Sequence, residues 1–213
     1  MTIFFVTDSD SQTAANLAVA KKIAASTDIK LFGCDALRDR LHYELLGEKR
    51  AIFSMSHGSH CAIIDSDGVE AVVERDGDAL SGYKVYAWAC MTARFLGGAL
   101  AQKGIHWWGY DAAITAPDDR KEYIDIFAEV ISIAKENFEN GVDRYSIEIV
   151  LDLIKDACHT AEEKLDNIDV IDDNDAMSLY SCCNQIWSRL CIWLPQAQQP
   201  IKHRDSPPAY IDM

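Results

Sequence analysis

The chain has 213 residues, 49% of them apolar, enough for one substantial α/β domain with a helical appendage, and this excludes disorder throughout. Its 34 acidic against 20 basic residues give a formal charge of -14, which argues against binding a nucleic-acid backbone or an anionic membrane surface, and no run approaches the roughly 20 apolar residues of a membrane span. Seven cysteines, at 34, 61, 90, 158, 182, 183 and 191, form an odd, irregular set in a chain that opens straight into Ile3-Phe-Phe-Val6, so a reduced, cytoplasmic protein is expected.

Strand and helix signals alternate through the first half. Ile3 to Thr7 reads as a strand that breaks at Asp8-Ser-Asp10, and Thr13 to Ser26 carries apolar residues at helical spacing (Leu17, Ala20, Ile23, Ala24). Ile29 to Phe32 is a second strand stopped by Gly33, and Asp35 to Leu46 a second helix. Ala51 to Met55 is a third strand that delivers Ser56-His57-Gly58. Between Ile63 and Leu80, short apolar pieces separated by Asp65-Ser-Asp-Gly68 and Arg75-Asp-Gly77 predict a small hairpin excursion. Lys84 to Trp88 is a fourth strand, Thr92 to Gln102 a helix with a glycine stop at Gly104, and Ile105 to Gly109 a fifth strand.

From Pro117 the period becomes helical. Asp118-Asp119 reads as an acidic helix start, with an apolar stripe of Ile124, Phe127, Ala128, Ile131, Ala134 and Phe138 and a stop at Asn140-Gly141. Ser146 to Glu163 is a further helix, with Ile149, Leu153, Ile154 and Ala157 on one side. Asp166 to Asp175 is an acidic loop and Met177 to Leu194 a last helix. The expected organisation is an α/β core over 1–116, a helical region over 117–194 packed on it, and an extended tail over 195–213.

Two blocks carry candidate chemistry. Ala51-Ile-Phe-Ser-Met-Ser-His57-Gly58 and Lys84-Val-Tyr-Ala-Trp-Ala89-Cys90 are each a buried-strand run ending in a reactive residue, with His57 and Cys90 33 positions apart. Side by side in a parallel sheet, they would present an imidazole and a thiol at its carboxyl edge, where open α/β folds place their sites. Such a pair can form a thiolate nucleophile with its own general base and acid. Cys90 is expected at the amino end of the following helix, whose dipole would favour the thiolate. The backbone N–H groups of Gly58 and Cys90 are candidate oxyanion donors. His57-x-x-His60-Cys61 imitates metal-ligand spacing, but His60 reads as a loop residue, and neither a metal nor an organic cofactor is expected. Arg94 lies four positions after Cys90, not at the spacing of a phosphatase loop, and the chain has no Gly-x-Ser-x-Gly elbow or Walker loop. His42 and His106 read as structural, and Trp107 and Trp108 must face opposite layers.

The strand ending Phe53-Ser-Met-Ser-His57-Gly58, followed by the strand ending Tyr86-Ala-Trp-Ala89-Cys90, resembles the signature pair of the caspase-like cysteine peptidases: caspases, metacaspases, legumain, clostripain, gingipain, separase and bacterial CHAT domains. Leu96-Gly97-Gly98-Ala99-Leu100 and Gly104-Ile105-His-Trp-Trp-Gly109-Tyr110 look like the next helix and strand of its CHAT- or gingipain-like members, and the resemblance spans about residues 1 to 115. It implies a three-layer α/β/α sandwich with a mainly parallel sheet of five or six strands. It also implies His57 as general base and acid, Cys90 as nucleophile and Gly58 as an oxyanion contributor, in a minimal, bacterial-type endopeptidase acting on a peptide or protein substrate. Trp88-Ala-Cys90-Met-Thr92 departs from the Gln-Ala-Cys-Arg/Gln-Gly of caspases, so cleavage after aspartate is not inherited. An acidic residue often lines the pocket for a basic side chain in this family. Asp111, then Asp8 and Asp10, are the candidates here, although capping is the simpler role for Asp8 and Asp10. The rival expectation is an inactive interaction or regulatory module on the same fold. In either case, the C-terminal helices are the expected surface for a protein partner or a second copy.

Overall fold

The computed structural model describes residues 1–48, 50–117, 120–141, 143, 145–168 and 173–211. In chain order these form β1 (Thr2–Val6), α1 (Ser11–Ile23), β2 (Ile29–Phe32), α2 (Arg38–Glu44), β3 (Ala51–Met55), β4 (Ala62–Ile64), β5 (Glu70–Val73), β6 (Lys84–Trp88), α3 (Leu96–Gln102), β7 (His106–Tyr110), α4 (Lys121–Asn140), α5 (Ile147–Leu165), α6 (Asp173–Ser188) and β8 (Leu190–Trp193). Six strands make one sheet in the order β2-β1-β3-β6-β7-β8. Every neighbouring pair is parallel except β7 with β8. β4 and β5 form the small antiparallel hairpin expected between the third and fourth sheet strands.

The central strands are apolar without interruption because both faces of the sheet are covered. Side chains alternate between two cores. Phe4, Phe53, Tyr86 and Trp108 face the side of α1, α4, α5 and α6, whereas Ile3, Ile52, Val85 and Trp107 face the side of α2, α3 and the hairpin. The architecture is compatible with a three-layer sandwich. Across the first face the rings run in a ladder, Phe4 to Phe53 at 5.3 Å, Phe53 to Tyr86 at 4.6 Å and Tyr86 to Trp108 at 5.9 Å, which fixes strand register through direct cross-strand contact. Trp107 and Trp108 therefore do take opposite layers. The α4 stripe is wholly buried, and Gly141 ends the helix at φ +77°, a conformation costly for other residues. The acidic start at Asp118-Asp119 lies outside the described residues, as do 169–172 of the acidic loop.

Four expectations need correction. The last helix ends at Ser188, and Leu190 to Trp193 is a strand instead: Cys191-Ile-Trp193 is β-rich, Pro195 bars helical continuation, and the open edge of β7 offers a partner. On α5 the buried stripe is Ile147, Val150, Leu151, Ile154 and Cys158, leaving Ile149 and Leu153 exposed on a second stripe. α3 begins only at Leu96, because Met91 to Phe95 form turns. The tail is extended but anchored: Ile201 bridges Ile192, His203 is buried against Asp152, and Lys202 meets the fully buried Asp111 at 2.7 Å.

Among the described residues no helix is long and apolar enough to cross a membrane. Removing Lys202 would leave the Asp111 carboxylate buried without its cation. Lys202→Met is expected to lower stability by about 3 kcal/mol, read as a shift of the urea midpoint; an unchanged midpoint would show that the Lys202–Asp111 pair contributes nothing to the fold.

Candidate active site

The site is built by three adjacent strands that end level. Val6 pairs with Met55 across β1 and β3, and Met55 pairs with Trp88 across β3 and β6. The ladder continues past the strands, with Thr7 N–H donating to Met55 O and Ser56 N–H to Trp88 O. Asp10, His57 and Cys90 follow within four, two and two residues of their strand ends, so each emerges at the same carboxyl edge. His57 and Cys90 line one narrow cavity there.

Asp10 holds His57. Its Oδ2 lies 2.6 Å from His57 Nε2, while its Oδ1 accepts the Thr13 N–H at 2.9 Å and caps α1. The Thr13 hydroxyl completes the capping box by accepting the Asp10 N–H. The Thr13 backbone donor, followed by the His57 ring, holds the Asp10 carboxyl below the usual carboxylate range despite some burial. Carboxylate on Nε2 favours the tautomer with its proton there and leaves Nδ1 a lone pair to accept a proton. Both side chains are a little over 40% exposed, so the imidazole is open to proton exchange with solvent.

Cys90 lies on a tight turn. Met91 takes φ +60°, a strained value for a non-glycine residue, and its N–H donates to Ala112 O, while the Thr92 hydroxyl donates to Ala89 O. The expected helix-dipole activation is corrected by this turn, since α3 starts six positions after Cys90. The Cys90 thiol instead meets the loop after β7. Ile114 N–H points at Sγ from 3.4 Å, and Ile114 O lies 3.7 Å from it. That loop is pinned to α6 by Thr115 N–H on Gln185 Oε1 and by the Cys182 thiol on Thr115 O.

Gly58 locks the two blocks together. A Cβ at this position would fall 2.8 Å from Ala89 Cβ and 2.9 Å from both Cys90 O and Thr92 Cγ2, so a larger residue would force the His57 loop away from Cys90. Beyond Gly58 the loop bridges to Ile63, with Ile64 N–H on His57 O and Ser59 N–H on Ala62 O, leaving the Gly58 N–H outside the ladder. Among the described residues neither the Gly58 nor the Cys90 N–H has an acceptor.

The other residues singled out in the sequence fall elsewhere. Asp111 does not reach the cavity: it is wholly buried, with its Oδ2 taken by Lys202 and the Tyr210 N–H, because β8 and the tail cover the end of β7. Asp8 is exposed, sits against Gly33 and does not line the cavity. Asp10 is at the site, but as the partner of His57 rather than as a free carboxylate for a basic side chain. The signal for it was its place after the strand that neighbours β3, which a linear reading cannot supply. Asn16, on the cavity side of α1, and Ile114 were not foreseen. His106 is structural, accepting the Trp108 indole N–H at 3.0 Å, and burial with nearby Lys84 pushes its pKa down to about 4. Among the described residues no group of three or more His, Cys, Asp or Glu could hold a metal ion.

Larger hollows lie outside the Cys90 cavity. One of about 500 Å³ at the opposite end of the sheet is lined by Arg50, Lys84, His106 and Glu139, and one of about 610 Å³ runs beside Gln185 and Arg189. Neither contains a thiol beside a base, so cavity size does not locate the candidate chemistry. Comparison with protein families, curated proteins and solved structures found no match to this chain.

Asp10→Asn should retain the α1 cap, whereas Asp10→Ala should lose about 1 kcal/mol with it. Because the folded carboxyl titrates below its usual value of 3.8, the wild-type advantage over Asp10→Asn is complete above that range and is lost as the pH falls through the lower folded value. Thermal midpoints at pH 7, 5 and 3 check the sign: an advantage that grows on acidification contradicts an ionised Asp10 against His57.

Proposed function

We propose that the chain is a caspase-like cysteine endopeptidase working through Cys90, His57 and Asp10. One observation carries this reading: an imidazole held by a carboxylate shares a cavity with a thiol at the level ends of adjacent parallel strands. The sheet order and the hairpin after His57 are in keeping with the His-Gly and Ala-Cys resemblance.

In this reading His57 Nδ1 takes the Cys90 proton, and the thiolate attacks the scissile carbonyl. The oxyanion is held by the unengaged N–H groups of Gly58 and Cys90. Collapse breaks the C–N bond, the imidazolium gives its proton to the leaving amine, and a thioester remains on Cys90. Water then attacks with His57 again as base, releasing the carboxylic acid and regenerating the thiol. Asp10 keeps the ring oriented and stabilises its charged form. The chemistry needs no metal or organic cofactor. All seven cysteines are free, which suits the reducing cytoplasm. Exposed Ile149 and Leu153 on α5 support a protein partner or second copy on the helical side, and the charge of -14 supports neither nucleic acid nor membrane.

A specific observation also favours the rival reading of an inactive interaction module. Ile114 meets Cys90 Sγ through both its N–H and its carbonyl, on a loop tied to α6. On the peptidase reading that loop must yield when a substrate arrives.

Alkylation by iodoacetamide as a function of pH, read by peptide mass spectrometry, separates the readings. Exposed Cys34 serves as an internal reference. The peptidase reading expects Cys90 to label at least about tenfold faster than Cys34 at pH 7, and to slow to the Cys34 rate in His57→Ala. Labelling no faster than Cys34 and indifferent to His57 supports the module.

A further inference from the structure

The cavity beside Cys90 is about 20 Å³, room for one water-sized group. Asp, Glu, Lys and Arg are absent from its described lining, which includes Thr13, Asn16, Ser56, Trp88 and Ile114. Most of its polar groups are already committed. The Thr13 hydroxyl serves the Asp10 cap, and the Ser56 hydroxyl pairs with Ser54 and the His57 carbonyl. Asn16 differs: it is 5% exposed, and its Oδ1 is buried with no hydrogen-bond partner. An orphaned buried amide oxygen is costly, and its retention beside a thiol and an imidazole points to a ligand that pairs with it.

We propose that this cavity receives the side chain on the acyl side of the scissile bond and selects a small, uncharged residue, serine ahead of alanine or glycine. The proposal rests on the peptidase reading. A serine hydroxyl fits the space and donates to Asn16 Oδ1, and because a hydroxyl both donates and accepts it pairs with the amide in either orientation. A methyl group fits but leaves the oxygen orphaned. Lysine or arginine needs a longer channel and an uncommitted carboxylate, whereas Asp10 serves His57 and the α1 cap and Asp111 is sealed under Lys202. This replaces the basic specificity expected from those carboxylates.

The test uses peptidyl acyloxymethyl ketones that differ only in the residue next to the reactive group: Ser, Ala, Gly, Leu, Lys, Arg or Asp. The rate of Cys90 labelling is read by intact-protein mass spectrometry, with Cys90→Ala as background. The serine probe should label about tenfold faster than the alanine probe, one net hydrogen bond's worth, and Leu, Lys, Arg and Asp about a hundredfold slower than serine. Asn16→Ala should bring the Ser-to-Ala ratio toward one and admit larger residues. Asn16→Leu should abolish the ratio while still excluding them, which separates loss of the oxygen from loss of volume. Fastest labelling by the Lys or Arg probe overturns the pocket assignment and leaves the cysteine-hydrolase reading standing. A serine preference intact in both variants overturns the role of Asn16. If no probe labels Cys90 faster than iodoacetamide does, both the pocket and the peptidase reading fall.

Discussion

The level ending of β1, β3 and β6 is the constraint on which the site depends. A parallel sheet puts the carboxyl ends of its strands at one edge, but only a matched register brings residues that follow different strands to the same height. Here Val6, Met55 and Trp88 stand in line, and the ring ladder from Phe4 to Trp108 holds that register from inside one core. A one-residue slip of β3 would turn Phe53 and Met55 to the opposite layer and leave the ladder without the second of its four rings. The packing that stabilises the sheet therefore also aligns Asp10, His57 and Cys90, and no separate device is required to bring them together.

Close approach is the second requirement, and it depends on what is absent at position 58. The His57 loop lies so near Ala89 and Cys90 that a single methyl group would collide with a backbone carbonyl. Glycine at that point is a consequence of contact between the two blocks, and it leaves a free N–H at the place where they meet. The strained Met91 belongs to the same turn: three hydrogen bonds, from Met91, Thr92 and Ala93, hold the chain folded back after Cys90.

What could be read from the linear chain follows from what its local patterns encode. Strand runs such as Ala51 to Met55 and Lys84 to Trp88 are legible because burial on both faces demands continuous apolar residues, and the turn sequences around Gly68 and Gly77 mark the hairpin. The residues after Gln185 were misread because Ile186 to Trp193 is mostly apolar, broken only by Ser188 and Arg189, and a short run of that kind does not declare its period. The transition from helix to strand at Arg189 is imposed by the open edge of β7, a tertiary fact. The fate of Asp111 was hidden for the same reason. Its position after β7 is visible in the sequence, whereas its cover, Lys202 and Tyr210, arrives more than 90 residues later. His57 and Cys90 could be paired from the sequence because each ends its own strand, but the partner of His57 could not, because Asp10 serves a local role that accounts for it completely.

That double service makes α1 more than a covering helix. Asp10 caps it and orients the imidazole with its other oxygen, Thr13 closes the capping box on the cavity side, and Asn16, three residues further along the same face, supplies the unpartnered oxygen. Residues 10, 13 and 16 thus run from the His57 imidazole to the wall of the cavity at helical spacing. The capping bonds that start α1 also fix where that face points, so fraying of its first turn would release His57 and shift Asn16 together. Orientation of the imidazole and shape of the cavity are in this way one structural property, set by the hydrogen bonds that begin a single helix.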